Sequence, residues 1–435
     1  MSVTFINLYE QLYKYVDPIH TMASKRVLFI SGSLGLGHAV RDVAIVKELR
    51  ALNPDIEVHW IAPEPAATMI AEAGEHLLPE SSGYSDNNAI AEANARGTSL
   101  NILAYMLKAR KDWAENVELF RKLTTETEYD LVVGDETYEV AAALNMRPSL
   151  KRSPFAMIYD FVGVDTGSWN PLERLSVYLL NWIWSQDYTR AYHPDDLSIF
   201  IGEPEDIPDK RFGLFLPSRR EYAEARLRPV GYILQFEPDD YRDKSEIRGK
   251  LGYGDEPLLL CSAGCTAIGG ELLDLCIEAY GLAREEMPDL RMVVVCGPRI
   301  PPESIEAGDG IQVHGYLPRL YEHLAACDLA IVQAGATTTL ELTSLNRPFI
   351  YFPIEGHFEQ ERHVAGRLGR HEAGVRMTYS DATPESLAQK ITENIGKQPE
   401  YEPIPVDGAE KAASLLNQLL TTPTMSLSPP TRQGY

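Results

Sequence analysis

The chain has few cysteines and no long apolar run, and these absences exclude several classes of protein. Its 5 cysteines are an odd number with no Cys-x-x-Cys spacing, so we expect reduced thiols and no zinc site. The first 24 residues lack the apolar core of a secretory signal, and nothing elsewhere is apolar for long enough to span a bilayer. These features predict a cytoplasmic protein.

Basic residues are also scarce, which bears on the partners of the chain. There are 40 Lys and Arg against 63 Asp and Glu, a formal net charge of −23. Because nucleic acids and anionic membranes attract basic surfaces, a nucleic-acid partner is excluded and general membrane contact is disfavoured. No Asp-x-Asp motif occurs, so the sequence calls for no metal and no other cofactor.

The length and the recurring motifs predict two domains of the α/β class. At 435 residues and 44% hydrophobic content, the chain exceeds what one core usually supports. Apolar strands that break into glycine-rich turns ahead of helices occur in both halves, as in doubly wound, Rossmann-like domains. We divide the chain into an accessory segment 1–24, a first domain 25–225, a second domain 226–406, a helix 407–421 that could cross back to the first domain, and a disordered tail 422–435.

The most informative motif is Gln333-Ala-Gly-Ala-Thr-Thr-Thr-Leu-Glu341, which follows an apolar strand. Its small and hydroxylated residues open a helix, where backbone N–H groups and the helix dipole attract phosphate. Glu341 is four residues after Thr337 on the same helix face, so its carboxylate can accept hydrogen bonds from ribose hydroxyls. The alternative is an ordinary strand, glycine turn and capped helix. The candidate donor-binding residues here are Gln333, Gly335, Ala336, Thr337, Thr338 and Glu341.

A second glycine-rich turn lies near the beginning of the first domain, between the strand from Arg26 and His38. Its glycines do not follow the dinucleotide fingerprint and no P-loop lysine follows them. Gly35 and Gly37 are instead predicted to form a loop that faces the acceptor. His38, whose ordinary pKa is near 6.5, is the candidate base for an acceptor hydroxyl, or it only caps the helix or lines the loop.

The strand 129–134 ends in Asp135 and Glu136, and acidic residues at that position have two interpretations. Ligands of open α/β sheets gather at the carboxyl ends of strands, so Asp135 could orient His38 or act as a base itself. Alternatively, both acids only complement the dipole of the following helix. Asp135 is the stronger catalytic candidate of the two.

From Glu341 to Gln360 the sequence resembles, without a gap, the lipid-linked N-acetylglucosaminyltransferase family of peptidoglycan synthesis (MurG, family 28). Plant-type UDP-glycosyltransferases share the frame only as far as Pro353, and they have His and Asn where this chain has Gln333 and Thr337. The resemblance implies a GT-B fold, with an acceptor domain and a donor domain facing a central cleft. It also implies further donor contacts. His314 and Tyr316 belong to a segment that would hold the nucleobase, and Gly264 and Thr266 to a turn that would approach the diphosphate. Glu359 and Gln360 would contact the sugar.

The predicted function is inverting transfer of a hexosyl or N-acetylhexosaminyl group from a UDP-sugar to a hydroxyl of a small molecule or lipid. UDP-GlcNAc is only mildly favoured, and TDP remains an alternative to UDP. Two other functions stay open: a nonhydrolysing UDP-sugar 2-epimerase, and a non-catalytic nucleotide-sugar-binding scaffold. The apolar segment 171–185 is core, a peripheral membrane contact, a dimer contact or an acceptor pocket. The first loop and 171–216 depart from the MurG pattern, so peptidoglycan synthesis is not predicted.

Overall fold

The computed structural model describes residues 24–32, 36–85, 95–96, 99–100, 102–166, 169–186, 193, 195–264, 269–297, 299–354 and 359–421. Residues 1–23 of the predicted accessory segment and the tail 422–435 lie outside the described residues. So do Gly35 and Thr266 of the predicted site, and the side chain of Glu359 is not described either.

The first domain is built on a seven-stranded sheet in the order β3-β2-β1-β6-β7-β8-β9, with every neighbouring pair parallel. Its central strands β1, β6 and β7 are buried almost throughout, because helices cover both faces of a parallel sheet. A separate two-stranded ribbon is formed by β4 and β5. The strands are β1 Arg26–Ile30, β2 Glu57–Ile61, β3 His76–Leu77, β4 Ala95–Arg96, β5 Ser99–Leu100, β6 Leu131–Asp135, β7 Phe155–Tyr159, β8 Leu197–Ile201 and β9 Arg228–Gly231.

Helices connect these strands and bury an apolar stripe against the sheet. The helices of the first domain are α1 Leu36–Leu52, α2 Ala66–Glu72, α3 Ile102–Glu126, α4 Tyr138–Met146, α5 Pro171–Gln186 and α6 Arg219–Arg226. The sheet ends at Gly231, so β9 extends it beyond residue 225, where the sequence placed the end of the first domain.

The second domain repeats the architecture with a six-stranded sheet in the order β12-β11-β10-β13-β14-β15, again parallel throughout. Its strands are β10 Leu258–Ser262, β11 Arg291–Val295, β12 Ile311–His314, β13 Leu329–Gln333, β14 Phe349–Phe352 and β15 Val375–Arg376. Its helices are α7 Lys244–Leu251, α8 Gly269–Glu286, α9 Leu320–Ala326, α10 Ala336–Ser344, α11 Ala365–Arg370 and α12 Pro384–Asn394, with a π-helical turn Glu359–Val364 before α11. Two doubly wound α/β domains are therefore present, which confirms the predicted fold class.

The last described helix, α13 Gly408–Thr421, packs on the first domain rather than on the second. Ala412, Ala413, Leu416 and Leu420 belong to the same buried core as strands β1 and β2. A further contact between the domains joins Asp206 of the first to Arg370 of the second at 2.8 Å. The two domains are thus joined by this ion pair and by α13 as well as by the connecting chain.

The two tryptophans near the end of α5 face different surroundings. Trp182 is 45% exposed and lies on the outer side of the helix with the exposed residues Leu172, Leu175, Leu179 and Ile183. Trp184 instead packs against a second buried cluster of the first domain, which includes Phe155 and Phe200. The predicted membrane or dimer contact through 171–185 therefore has an exposed apolar face, and its role stays a prediction. Among the described helices, none is both long enough and apolar enough to cross a membrane.

Candidate active site

The carboxyl ends of β6 and β7 meet the first turn of α1 at the edge of the first sheet. Asp135 is the last residue of β6, Asp160 follows β7 directly, and His38 is the third residue of α1. Because β1 lies beside β6 and β6 beside β7, the sheet order brings these three side chains to one place.

His38 and Asp135 form a hydrogen-bonded pair. The Nδ1 atom of His38 is 2.9 Å from Oδ2 of Asp135, whose side chain is fully buried. The other ring nitrogen, Nε2, lies 3.7 Å from Asp160 and 4.0 Å from Glu136, distances too long for direct hydrogen bonds. An Nδ1–H that donates to Asp135 leaves Nε2 as the atom able to accept a proton.

Arg41 joins this pair and was not among the residues predicted from sequence. Its Nη2 atom lies 2.5 Å from Oδ1 of Asp135, and its Nη1 atom is paired with Asp160. Nη2 is also 2.9 Å from Nδ1 of His38. A signal for Arg41 existed in the sequence, since it follows His38 by three residues and so shares its helix face. Asp160 carried only the weaker signal of lying just beyond a strand.

The charges in this cluster shift the pKa values of His38 and Asp135 in opposite directions. Burial and the Arg41 charge act to lower the pKa of His38, but Asp135 and Asp160 outweigh them and raise it to about 10. Burial acts to raise the pKa of Asp135, yet Arg41 and His38 lower it to about 2. These shifts favour a protonated His38 beside an ionised Asp135 in the unliganded protein.

Glu136 occupies a strained position beside His38. Its backbone has φ +50°, in the left-handed region that residues with a side chain rarely adopt. Burial and the nearby Asp160 charge raise the pKa of its carboxyl to about 8. The hydroxyl of Tyr138 donates to Oε1 of Glu136 at 3.2 Å. Glu136 is thus held between the candidate base and an aromatic side chain.

The donor motif forms the opposite half of the site at the N-terminus of α10. Gly335 is the N-cap, and residues 335–338 are half-buried, so Ala336, Thr337 and Thr338 remain accessible at the start of the helix. Gln333 ends β13 and is buried. Gly264 follows β10 with φ +72°, and a Cβ there would lie 3.5 Å from the amide oxygen of Gln333. The two turns therefore approach each other, and the diphosphate contact of Gly264 stays a prediction.

Glu341 is buried one turn into α10, with 4% of its surface exposed. Burial raises the pKa of its carboxyl to about 8, although a hydrogen bond with Gln235 acts in the opposite direction. Arg367 hydrogen-bonds to the first turn of the same helix. Its Nη2 atom donates to the carbonyl of Ala336 at 3.1 Å and to the hydroxyl of Thr339 at 3.2 Å. Arg367 was not predicted from sequence.

The remaining predicted donor residues lie around this helix. His314 ends β12, and its carbonyl accepts a hydrogen bond from the backbone of Cys296 at 2.8 Å. Tyr316 is 47% exposed beyond that strand. Gln360 is buried, and its Oε1 atom accepts from the backbone N–H of Ile354 at 2.9 Å, so its carbonyl end holds the chain after β14.

The two halves of the site touch through Gly37. A Cβ added at Gly37 would lie 2.3 Å from Oγ1 of Thr337, so a larger residue fits between α1 and α10 only if Thr337 moves. The residue next to the candidate base is therefore in contact with the helix predicted to bind phosphate. Across the described residues, no group of three or more His, Cys, Asp or Glu side chains could hold a metal ion.

Comparison with known proteins adds family evidence, strongest in the second domain. Residues 271–419 match the model of the glycosyltransferase family 28 C-terminal domain. A UDP-N-acetylglucosamine--N-acetylmuramyl-(pentapeptide) pyrophosphoryl-undecaprenol N-acetylglucosamine transferase of Rhodopseudomonas palustris (strain BisA53) is 34% identical over 82 residues, which are 19% of this chain and 22% of that relative. The chain thus spans only about a fifth of that protein.

Two further similarities extend over nearly the whole chain. The transferase of the same name from Clostridioides difficile (strain 630) is 24% identical over 389 residues, covering 85% of this chain and 81% of the relative. Among solved structures, the glycotransferase of kitacinnamycin aligns with a TM-score of 0.59 and 16% identity over 91% of this chain and 99% of its own. At that identity the structural likeness shows the fold alone. Together these findings confirm the predicted resemblance and favour sugar transfer over the epimerase and scaffold alternatives.

Proposed function

We propose that the chain, a GT-B glycosyltransferase related to family 28, transfers a sugar from a UDP-sugar to an acceptor hydroxyl with inversion at the anomeric carbon. The observation that supports this proposal most directly is the hydrogen-bonded pair of His38 and Asp135, at 2.9 Å. His38 is adjacent in sequence to Gly37, which contacts Thr337. A candidate base therefore lies at the same cleft as the helix N-terminus suited to a diphosphate. The acceptor is a small molecule or a lipid.

The proposed reaction is a single displacement. Nε2 of His38 takes the proton of the acceptor hydroxyl while the acceptor oxygen forms a bond to the anomeric carbon. The bond from that carbon to the diphosphate oxygen breaks, and its electron pair leaves with UDP. Backbone N–H groups at the start of α10 stabilise the charge that develops on the diphosphate. One base and no carboxylate nucleophile are needed, which is the requirement for inversion.

The charges around His38 add a condition to this mechanism. Because Asp135 and Asp160 raise the pKa of His38 to about 10 against the effects of burial and Arg41, the base must lose a proton before it can act. Transfer should therefore accelerate as pH rises through the neutral range. Arg41 limits the effect, since its positive charge opposes protonation of the ring.

The donor assignment rests on the second domain. The relatives are named for UDP-N-acetylglucosamine, and the family 28 match covers the donor half, so we favour UDP over TDP and regard N-acetylglucosamine and a hexose as the candidate sugars. The proposal also includes catalysis without a metal, a cytoplasmic location and peripheral membrane contact through residues 171–185.

Calorimetric titration tests the donor site first. UDP, TDP, UDP-GlcNAc and UDP-glucose are titrated into wild type, Glu341→Ala and Ser344→Ala, both without and with EDTA. Glu341→Ala should weaken the preferred ligand by roughly 1–3 kcal/mol, the scale of a charge-assisted hydrogen bond. Ser344→Ala, on the same helix, is the matched control, because its hydroxyl bonds only to the helix backbone at Glu341. Folded wild type that binds no nucleotide would refute the donor site, and binding that EDTA abolishes would refute metal independence.

A further inference from the structure

Three half-buried aromatic rings form a triangle beside the catalytic cluster. The ring centroids of Tyr138 and Trp184 are 5.6 Å apart, those of Phe161 and Trp184 are 5.9 Å apart, and those of Tyr138 and Phe161 are 6.1 Å apart. The interplanar angles lie between 45° and 55°. We call these three side chains the aromatic triangle. Each of them is neither fully buried nor fully exposed.

Buried side chains and hydrogen bonds hold the aromatic triangle in position. Trp184 contacts the buried rings of Tyr159 and Phe212, with centroid distances of 6.1 and 6.4 Å. Asn181, on the same helix as Trp184, fixes the loop after Phe161, because its amide donates to the carbonyls of Val164 and Phe212 at 2.8 and 2.9 Å. The rings are therefore held in place before any ligand arrives.

Only one carboxyl group separates the aromatic triangle from the candidate base. The hydroxyl of Tyr138 bonds to Oε1 of Glu136, and Oε2 of the same carboxyl is 4.0 Å from Nε2 of His38. Phe161 follows Asp160, which lies 3.7 Å from the same nitrogen. Among the described residues, the triangle is therefore an apolar surface close enough to Nε2 to contact the rest of a molecule whose hydroxyl group lies at that atom.

We propose that Tyr138, Phe161 and Trp184 form an acceptor subsite for a flat aromatic ring that carries the attacking hydroxyl, so that the acceptor is a phenol or an aryl alcohol. This inference rests on the proposed function and names its acceptor class. Aromatic rings prefer offset or edge contacts with centroids about 4.5–7 Å apart, which three mutually tilted rings offer to a planar guest. A puckered aliphatic ring of the same size gains only the burial of its surface.

Two probes with one carbon skeleton test the subsite without a donor: 2-naphthol, which is flat, and decahydro-2-naphthol, which is puckered. Calorimetry at pH 6.5 should give 2-naphthol the tighter binding by roughly fivefold or more, the scale of two or three aromatic contacts. Phe161→Ala should weaken 2-naphthol by roughly twofold to tenfold more than decahydro-2-naphthol, which loses only buried apolar surface. Trp184→Leu should behave in the same way.

Trp182→Leu is the matched control, since Trp182 lies two residues from Trp184 on α5 but on the exposed outer face. It should leave both affinities unchanged. If Trp184→Leu unfolds the chain, Phe161→Ala still tests the subsite, because Phe161 lies outside the buried core clusters of the first domain. Equal binding of the two probes, or equal losses in Trp182→Leu and Phe161→Ala, would overturn the subsite.

A UDP-GlcNAc titration of the same samples separates this inference from the proposed function. Nucleotide binding without 2-naphthol binding overturns the subsite and leaves the donor site standing. Selective binding of 2-naphthol without any nucleotide binding supports the subsite and refutes the proposed function.

Discussion

The pH dependence of nucleotide-sugar binding is the most discriminating property of the donor site. Glu341 is 4% exposed, and burial raises the pKa of its carboxyl to about 8 despite a hydrogen bond with Gln235. At pH 6 the carboxyl of the free protein is therefore protonated. A ribose diol binds best to a carboxylate that accepts both of its hydrogen bonds, so the ligand lowers the pKa of Glu341 and binding releases a proton.

The sign and size of the effect follow from that release. Affinity should increase as pH rises and level off above about 8, where Glu341 is already ionised in the free protein. Between pH 6 and pH 8 the ionised fraction rises from about 1% to about 50%, so Kd should fall roughly 50-fold, or about 2 kcal/mol. Glu341→Gln has no proton to release, and its weaker affinity should stay flat over the same range.

Calorimetry in buffers of different ionisation enthalpy measures both quantities, with UDP-GlcNAc as ligand at pH 6, 7, 8 and 9. UDP-GlcNAc is preferred to UDP because a terminal phosphate titrates near pH 6. Wild type and Ser344→Ala should release about one proton at pH 6 and almost none at pH 9. Equal proton release by Glu341→Gln, or a pH-independent affinity of wild type, would refute the assignment of Glu341 to the ribose.

Three further predictions concern the catalytic half of the site. His38→Gln should slow transfer by about 10²–10⁴-fold and leave the Kd of the UDP-sugar unchanged; equal losses in both would refute its role as base. Asp160 raises and Arg41 lowers the pKa of His38, so Asp160→Asn should move the acidic limb of the kcat/KM profile to lower pH and Arg41→Met should move it to higher pH. Shifts of both variants in the same direction would contradict this assignment of charges. Gly37→Ala should reduce transfer, since its Cβ meets Thr337, and adding Thr337→Ala should restore part of the rate; no recovery in the double variant would exclude that contact as the cause.

The fold could be predicted because its signals are local. Each apolar strand that enters a glycine-rich turn and then a helix makes one unit of a parallel sheet, and both halves of the chain repeat that unit. The position of β9 could not be predicted in the same way. Arg228–Gly231 is short and polar at its beginning, and it is a strand only because β8 lies beside it.

The site residues that end strands or begin helices could be predicted from the sequence, but the contacts between those residues could not. His38 and Asp135 each follow a recognisable apolar strand, and the structure brings them together. The pairing of Arg41 with Asp160 depends on β7 lying next to β6, which no local pattern in the sequence reveals. The opposite environments of Trp182 and Trp184 likewise depend on what packs against α5.

The position of Arg41 bears on the tautomer that His38 adopts once the ring has lost its extra proton. Asp135 and Arg41 both lie 2.9 Å from Nδ1, yet they demand opposite protonation states of that atom. A hydrogen on Nδ1 that is donated to Asp135 leaves Nε2 free to accept, whereas a bond from Arg41 to Nδ1 places the hydrogen on Nε2 and blocks the base. Arg41 is held by carboxylates on both sides, Asp135 and Asp160, and these accept its hydrogens more strongly than a neutral ring nitrogen. Asp135 accepts from both Nδ1 of His38 and Nη2 of Arg41, and it therefore favours the tautomer that leaves Nε2 free to accept a proton.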